Sequence, residues 1–552
     1  MKHNYNLHRF AIALVCILLV SSCKKELEKS PLDRFDTKTF WTSESNAMLA
    51  LTAIYRGDMN INSGGQVPTS WWSYHALIFL EAATDNAYHG QGVNTPWHKL
   101  TNGTLTSSVT ILSNFWSMSY NTIAKSNDFL ENIDAVQMDA THKKRMIAEV
   151  RFIRAAQYFY MSQHFGSVPL VTKTLSPAEA NTVTKATHQA LVDFVIAEFT
   201  AAAADLPRFK DIPAAETGRA SKQACLAFLG RIQLAQKLFA EAATTYKTII
   251  DFGDNDIDPN YSSIFIEANE NSKENIFSTQ YIPDLFGNGI PNQLAPRKII
   301  GGFTLVTPIA NLMEAYQFTD GTAFSYTDPR YINSDISKNR DPRLAYTMYY
   351  NGAPFKGGKL YMHPDSNKTV NPDVIGNLNS QTGFVLKKYI DESFTGSILS
   401  YGGNTPIIRY AEVLLSYLEA KLEAGQAIDQ ALLTATINKV RGRASVNMPA
   451  ITETNPTLLR PILRNERRVE LAMEGIRLWD LLRWGIADQA LNGDYYGAAF
   501  LGAKTAIRKK TATTPADPYS RWYVTSRAFR KGVDEYWPIP QSEVNINPNL
   551  GK

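Results

Sequence analysis

The sequence predicts an all-α protein: a tetratricopeptide-like scaffold of helix pairs carrying a large irregular subdomain with a few short strands. Three observations predict it. Apolar residues recur at helical spacing through much of 42–252 and again in 408–485. Within Ser221–Phe252, Leu229-Gly230, Ala242 and Tyr246 fall at the separations of the tetratricopeptide pattern, in which small residues sit where two helices cross closely. Between 253 and 407 the helical period fades, and Pro, Gly, Asn and Asp mix with short runs such as Asn275–Tyr281 and Gly383–Tyr389. The aromatic residues of that stretch argue against disorder.

The chain opens with Lys2 and Arg9, an apolar run Phe10–Val20, and then Ser21-Ser22-Cys23. The run falls well short of the roughly 20 residues that span a bilayer, so residues 1–22 read as a secretory signal. Ending on Cys23, with polar residues following, the segment resembles a lipoprotein signal, so Cys23 becomes the lipidated first residue and 23–40 a tether. Several acyl chains on one Cys give stable anchoring, at about 0.8 kcal/mol per buried methylene. Cys225 is then the single thiol of the mature chain, and a core has to hold the fold without disulfides. It lies in an Ala-rich helix as a small buried residue. Removing 1–22 takes two of the 56 basic and none of the 52 acidic residues. The near balance offers no basic stripe for nucleic acid.

In order, Thr42–Met59 is a helix capped by Ser43, with Ala47, Leu51, Ile54 and Tyr55 on its apolar side. Residues 61–104 turn irregular, and helices return over 107–134 and 143–165, where Gly166 and Pro169 close the second. A helix over 187–205 ends at Pro207, and the tetratricopeptide-like pair follows. The segment 408–441 is a looser pair broken at Gly425, and 457–485 a fourth pair; such repeats stack, each covering its neighbour's apolar face. The tail from Gly502 reads as irregular.

The most charged stretch is Arg464–Gly485, RNERRVELAMEGIRLWDLLRWG. Glu466, Glu470 and Glu474 share one helix side, and Arg467, Arg477 and Arg483 can reach Glu470, Glu474 and Asp480 three positions away. Gly475 marks a hinge between two helices. With no nucleophile, metal or phosphate motif to serve, these charges read as a clamp between stacked helices.

Five stretches together resemble the SusD/RagB family of outer-membrane nutrient-binding lipoproteins: Glu149–Leu170, Asn339–Leu344 (NRDPRL), Ile408–Glu419, Arg464–Gly485 and Trp537–Asn549. The resemblance implies a ligand-facing role for the irregular region and no catalysis. It also implies a place over a SusC-like TonB-dependent outer-membrane transporter, as a lid that captures glycans or other nutrients. The domains that follow are a helical region over 41–252 with binding loops near 61–104, the irregular subdomain 253–407, and a C-terminal helical region and tail over 408–552.

Sugar rings stack on aromatic faces while polar groups at the rim fix their hydroxyls. The stretch Trp71–His98 supplies both kinds of residue, making Trp71, Trp72, Tyr74, Asp85, Asn86, Tyr88, His89 and Trp97 candidate ligand contacts. Trp71, Trp72 and Trp97 have a competing role as core plugs. The Gly/Pro/Asn-rich loop Tyr281–Gly302 adds Tyr281 and Phe286. No HExxH, GxSxG, phosphate loop or CxxC is present. His75, His89 and His98 match no metal-ligand spacing, and the Asp/Asn-rich 251–260 lacks a calcium-loop pattern, so no metal or cofactor is expected. Glu81 and Asp85, four apart, are the one carboxylate pair weighed for glycoside hydrolysis, against a hydrogen-bonding role. A protein–protein adaptor or peptide-binding lid on the transporter is the alternative to glycan capture.

Overall fold

The computed structural model describes residues 40–57, 68–299, 301–377 and 380–552. The signal, the lipidation site Cys23 and nearly all of the tether lie outside the described residues.

Helix α1 (Glu44–Arg56) is capped as expected, the Ser43 side chain accepting from Asn46 N. Helices α2 (Thr110–Asn132) and α3 (Ala140–His164) follow, and Gly166 closes α3 with φ 75°. Next come α4 (His188–Asp205), α5 (Lys222–Ala235) and α6 (Phe239–Phe252), and, beyond the irregular region, α7 (Tyr410–Glu423), α8 (Pro456–Glu470) and α9 (Arg477–Arg483). From α3 onward the long helices stack serially: α3 on α4, α4 on α5, α5 on α6, α6 on α7 and α7 on α8. The crossing of α5 and α6 explains the small residue in the repeat pattern. A Cβ on Gly230 would lie 2.4 Å from the Tyr246 ring.

The strands are short and pair two by two. β1 (Ala87–His89) pairs with β3 (Val306–Pro308), and β2 (Asn275–Thr279) with β8 (Thr405–Arg409), so β2 and β8 tie the start of the irregular region to its end. Within it β4 (Met348–Tyr349) pairs with β7 (Val385–Leu386), and β5 (Pro354–Phe355) with β6 (Gly358–Lys359). The tail departs from expectation. Arg521–Ala528 forms β10, an eight-residue strand antiparallel to β9 (Asn492–Ala499). Its RWYVTSRA sequence carries the aromatic and β-branched residues of a strand, but the partner lies across a long loop over 500–520.

The Arg464–Gly485 stretch is two helices with a break, as Gly475 suggested. Met473 and Gly475 both take positive φ, 65° and 76°, and a Cβ on Gly475 would meet Leu77 O at 2.7 Å. Its ion pairs run mostly outward instead of along the helix. Arg483 does reach Asp480, but Arg467 also turns to Asp480 at 2.7 Å and Arg477 to Asp85 at 2.8 Å. Glu470 takes Arg343 at 2.9 Å, Arg409 at 3.1 Å and Arg443 at 2.5 Å. Glu466 takes Arg343 and Arg441, Glu474 takes Arg409 and Lys388, and Glu274 takes Arg409 and Arg443. With Asp341 on Arg343, five carboxylates face five cations, all of them buried except the partly exposed Glu474. Burial alone would raise the Glu470 pKa, but Arg443, Arg409 and Arg343 outweigh it and hold the carboxyl low. The NRDPRL residues Arg340, Asp341 and Arg343 are all buried, and Arg340 donates to the carbonyls of Met313 and Tyr316.

Candidate functional site

The segment expected to present a sugar platform is folded inward. Ser73 caps a helical turn over Tyr74–Ile78 that runs into a 3-10 turn over Phe79–Ala83, and every residue from Trp71 to Gly90 is buried. Trp71 stacks between Phe115 at 4.2 Å and Tyr160 at 4.8 Å, and its Nε1 donates to Ser119 Oγ. Trp72 meets Phe277 edge-on at 5.0 Å, and Trp97 meets Phe115 edge-on at 6.1 Å. Tyr74 packs on His75 at 3.9 Å, and Tyr88 joins Ile309, Tyr495 and Val524 in a small separate cluster. The core-plug role therefore describes Trp71, Trp72 and Trp97. Tyr74 and Tyr88 are buried with them, and none of the five is an open stacking surface. The reason is local. HALIFLEAA between the aromatics is almost continuously apolar, so the segment has no polar face to turn to water.

The polar residues of the segment have internal partners. Both Asp85 oxygens accept from Arg477 at 2.8 Å, and Arg468 lies 3.0 Å away. Burial pushes the Asp85 carboxyl up, but Arg468 and Arg477 prevail and bring it to about 2. Asn86 donates to Glu81 at 2.9 Å and accepts from Arg468 Nε at 2.9 Å. Glu81 accepts the main-chain N–H of Gly475, tying this segment to the break between α8 and α9. With no cation bonded to it, burial lifts its carboxyl to about 7, opposed by Asn86, Gly475 and Arg477. Glu81 and Asp85 thus each have partners within the fold, hydrogen bonds for Glu81 and arginine pairs for Asp85. His89 is buried in β1, its main-chain N–H donating to His98 Nε2 at 3.0 Å. Burial lowers the imidazoles of His75 and His164 to about 3 and that of His89 to about 4. His98 is also driven down, by burial first and then by Arg527 and His89.

The second stretch faces outward. Tyr281 is half-buried, its main-chain N–H held by Asn404 Oδ1 at 2.8 Å. From there the chain turns back on itself through the Ile282–Phe286 bridge, and Ser400 Oγ accepts from Asp284 N. Asn288 pairs with Tyr401 through main-chain hydrogen bonds. This scaffold leaves Phe286 37% exposed, beside Ile282 at 52% and Leu285 at 68%. The Arg56 guanidinium at the end of α1 covers one side of the Phe286 ring, 4.5 Å from its centroid. Phe303, 46% exposed, follows Gly301, whose carbonyl accepts from Asn292 Nδ2 at 2.7 Å. Arg56, Leu285 and Phe303 were not singled out in the sequence. The signal for Phe303 and Leu285 was the same Gly/Pro interleaving that flagged Phe286. Among the described residues no group of three or more His, Cys, Asp or Glu is placed to hold a metal ion.

Comparison with known proteins fits this architecture. Residues 263–552 match the model of the SusD family, and residues 61–234 match a model described as starch-binding, associating with outer membrane. Among solved structures, a SusD-like carbohydrate binding protein from Bacteroides fragilis NCTC 9343 is 49% identical over 93% of this chain and 100% of its own, with a TM-score of 0.89. A second SusD-like protein from the same strain is 24% identical over 94% of this chain and 98% of its own, with a TM-score of 0.74. A SusD-like protein of Bacteroides ovatus is 22% identical over 97% of this chain and 92% of its own. With a family model covering more than half of its length, this chain belongs to the SusD family.

Proposed function

We propose that this chain is a non-catalytic, cell-surface glycan-binding lipoprotein that hands its ligand to a SusC-like TonB-dependent transporter. The observation that carries the glycan reading is the 49% identity, over 93% of the chain, to a protein described as carbohydrate binding. Ligand contact falls to Phe286, the expected contact that is exposed, with the half-buried Tyr281 at the base of its loop and the Arg56 guanidinium over its ring. Trp71, Trp72, Tyr74, Tyr88 and Trp97 serve as interior packing for the segment that Asp85, Asn86 and His89 fix in place. Acylation at Cys23 supplies the anchor. No helix among the described residues is long and apolar enough to cross a membrane.

Retention of the mature chain in native gels containing neutral polysaccharides, followed by calorimetry with the retained ligand, tests the glycan reading. Migration unchanged by a broad polysaccharide panel would overturn it. The anchor is checked by incorporation of labelled palmitate, which Cys23→Ala should abolish. Co-purification of a β-barrel transporter from detergent-extracted outer membranes checks the partner, and extraction of the chain alone would count against it.

A further inference from the structure

Between β9 and β10 the loop over 501–516 carries Lys504, Arg508, Lys509 and Lys510 and no acidic residue. All four cations are exposed. Lys510 pairs with Asp494 at 2.7 Å, and Arg508 reaches the Gln381 side chain at 3.4 Å. The ammonium groups of Lys504 and Lys509 have no ion-pair partner among the described residues. A fifth exposed cation, Lys368, lies close by. A Cβ on Gly376 would sit 3.6 Å from Lys368 Nζ and 3.8 Å from the Trp522 ring at the start of β10.

The carboxylates around the loop are already taken. Asp365 accepts the main-chain N–H groups of Lys504 and Thr505, both at 2.7 Å, and Asp517 at the far end pairs with Arg521 at 2.9 Å. The Arg508 carbonyl accepts from Tyr523 N at 3.0 Å. These bonds fix the main chain of the loop while its cationic side chains stay in solvent. Apolar groups stand among them: Leu501 is 48% exposed, and Ile507, Trp522 and Tyr523 are half-buried.

Charge and shape together select the partner. Lysine ammonium groups are mobile, strongly hydrated point charges, whereas a fitted carboxylate or phosphate calls for the planar fork of arginine. Four of these five cations are lysines, which suits a diffuse layer of negative charge. Exposed Leu501 and the half-buried Trp522 and Tyr523 suit a layer with apolar matter beneath its charge, where amphipathic rings settle. An anionic lipid surface has both properties. A lipid at Cys23 would hold the chain at a membrane without choosing which side of the body meets the headgroups, and a basic patch is the usual second signal.

We infer that the 501–510 surface rests on anionic lipid headgroups and so orients the chain on its membrane. The inference takes from the proposed function only the presence of that membrane. Co-sedimentation of the mature chain carrying Cys23→Ala removes the anchor from the measurement. The probes are vesicles of phosphatidylcholine alone and of phosphatidylcholine mixed with phosphatidylglycerol, at low and at high salt. The chain should bind the mixed vesicles, ignore the neutral ones, and dissociate as salt rises. Each basic residue near an anionic surface strengthens attachment about fivefold, so the double variant Lys504→Gln, Lys509→Gln should bind about tenfold or more weakly. The control double variant Lys144→Gln, Lys210→Gln changes net charge equally at exposed positions elsewhere and should bind like the parent.

The inference is overturned if the mixed vesicles are not bound, if salt has no effect, or if the control loses as much as the loop variant. It is overturned too if soluble polygalacturonate displaces the chain from vesicles and the loop variant loses retention on that polymer, which would give the surface to an acidic glycan. Vesicle binding without palmitate incorporation at Cys23 would keep the loop contact and remove the anchor. Palmitate incorporation without vesicle binding would do the reverse.

Discussion

Trp71–His98 and Tyr281–Phe303 look alike in sequence, both rich in aromatics and broken by polar residues, yet the fold treats them oppositely. The first is swallowed by the scaffold, its rings stacked on α2 and α3 and its acids tied to α8, α9 and the turn between them. The second is held at its base by 398–404 and leaves Phe286 and Leu285 in the open. What separates them is the company the rings keep. Trp71 and Trp72 lead into the apolar run HALIFLEAA, and the carboxylates there meet arginines from elsewhere in the chain. Around Phe286 the neighbours are Pro, Asp, Gly and Asn, which favour turns. Aromatic content alone says how much surface a segment has to bury or offer, and not which it does.

The largest effects should come from treating the first region as a binding surface. Trp71→Ala removes a buried indole and should cost about 3–5 kcal/mol. Asp85→Ala strands Arg468 and Arg477 and should cost a similar amount, about 3–5 kcal/mol. Glu470→Ala, which takes one carboxylate from three buried guanidinium groups at once, belongs with them. Denaturant melts and gel retention on the folded fraction would separate stability from ligand affinity. Full stability with lost binding in Trp71→Ala would return that ring to the ligand.

The two regions should also differ in their response to acid. Below pH 6.5 an unfolded chain takes up protons on His75, His89, His98 and His164, whereas burial keeps the folded imidazoles neutral, down to about 3 or 4 for three of them. Stability from these imidazoles is therefore present above pH 6.5 and is lost as pH falls below it. Glu81 works the other way: the folded carboxyl keeps its proton up to about 7 and the unfolded one releases it near 4.5, so its contribution is lost as pH rises. Four imidazoles against one carboxyl leave about three protons, or about 4 kcal/mol per pH unit between 6 and 5. Glu81→Gln removes the opposing group and should steepen the fall by about 1 kcal/mol per unit. Thermal melts at half-unit steps would show it, and a flat profile would mean that water reaches these histidines.

How much of this was legible in the sequence follows the range of the interactions. The α5–α6 pair could be read because Gly230 and Tyr246 belong to one local repeat. The α8–α9 break could be read from Gly475. The clamp was legible as a clamp, but its partners were not. Arg443, Arg409 and Arg343 lie 27, 61 and 127 residues from Glu470, too far for any periodicity to connect them. The β9–β10 pair was missed for the same reason, its strands standing on either side of a long loop. At the candidate site the residue types were legible and their exposure was not, because burial of Trp71 depends on Phe115, Tyr160 and Ser119 arriving from other helices.

The smallest change in stability should mark the largest change in function. Phe286 is anchored by main-chain bonds of its loop, which a substitution at the ring leaves in place. Phe286→Ala should therefore shift stability by less than about 0.5 kcal/mol. An aromatic face lost from a stacking contact removes about 0.5–1.5 kcal/mol, so polysaccharide affinity should drop by up to about tenfold. Arg56→Ala uncovers the opposite side of the same ring and offers a control in the other direction. If Arg56 only shields Phe286, its removal should leave affinity unchanged or raise it; if it donates to ligand hydroxyls, affinity should fall together with that of Phe286→Ala. Calorimetry on the two single variants and the double variant separates these cases, because coupled residues give non-additive losses. Affinity unmoved by either substitution would take ligand contact away from this loop.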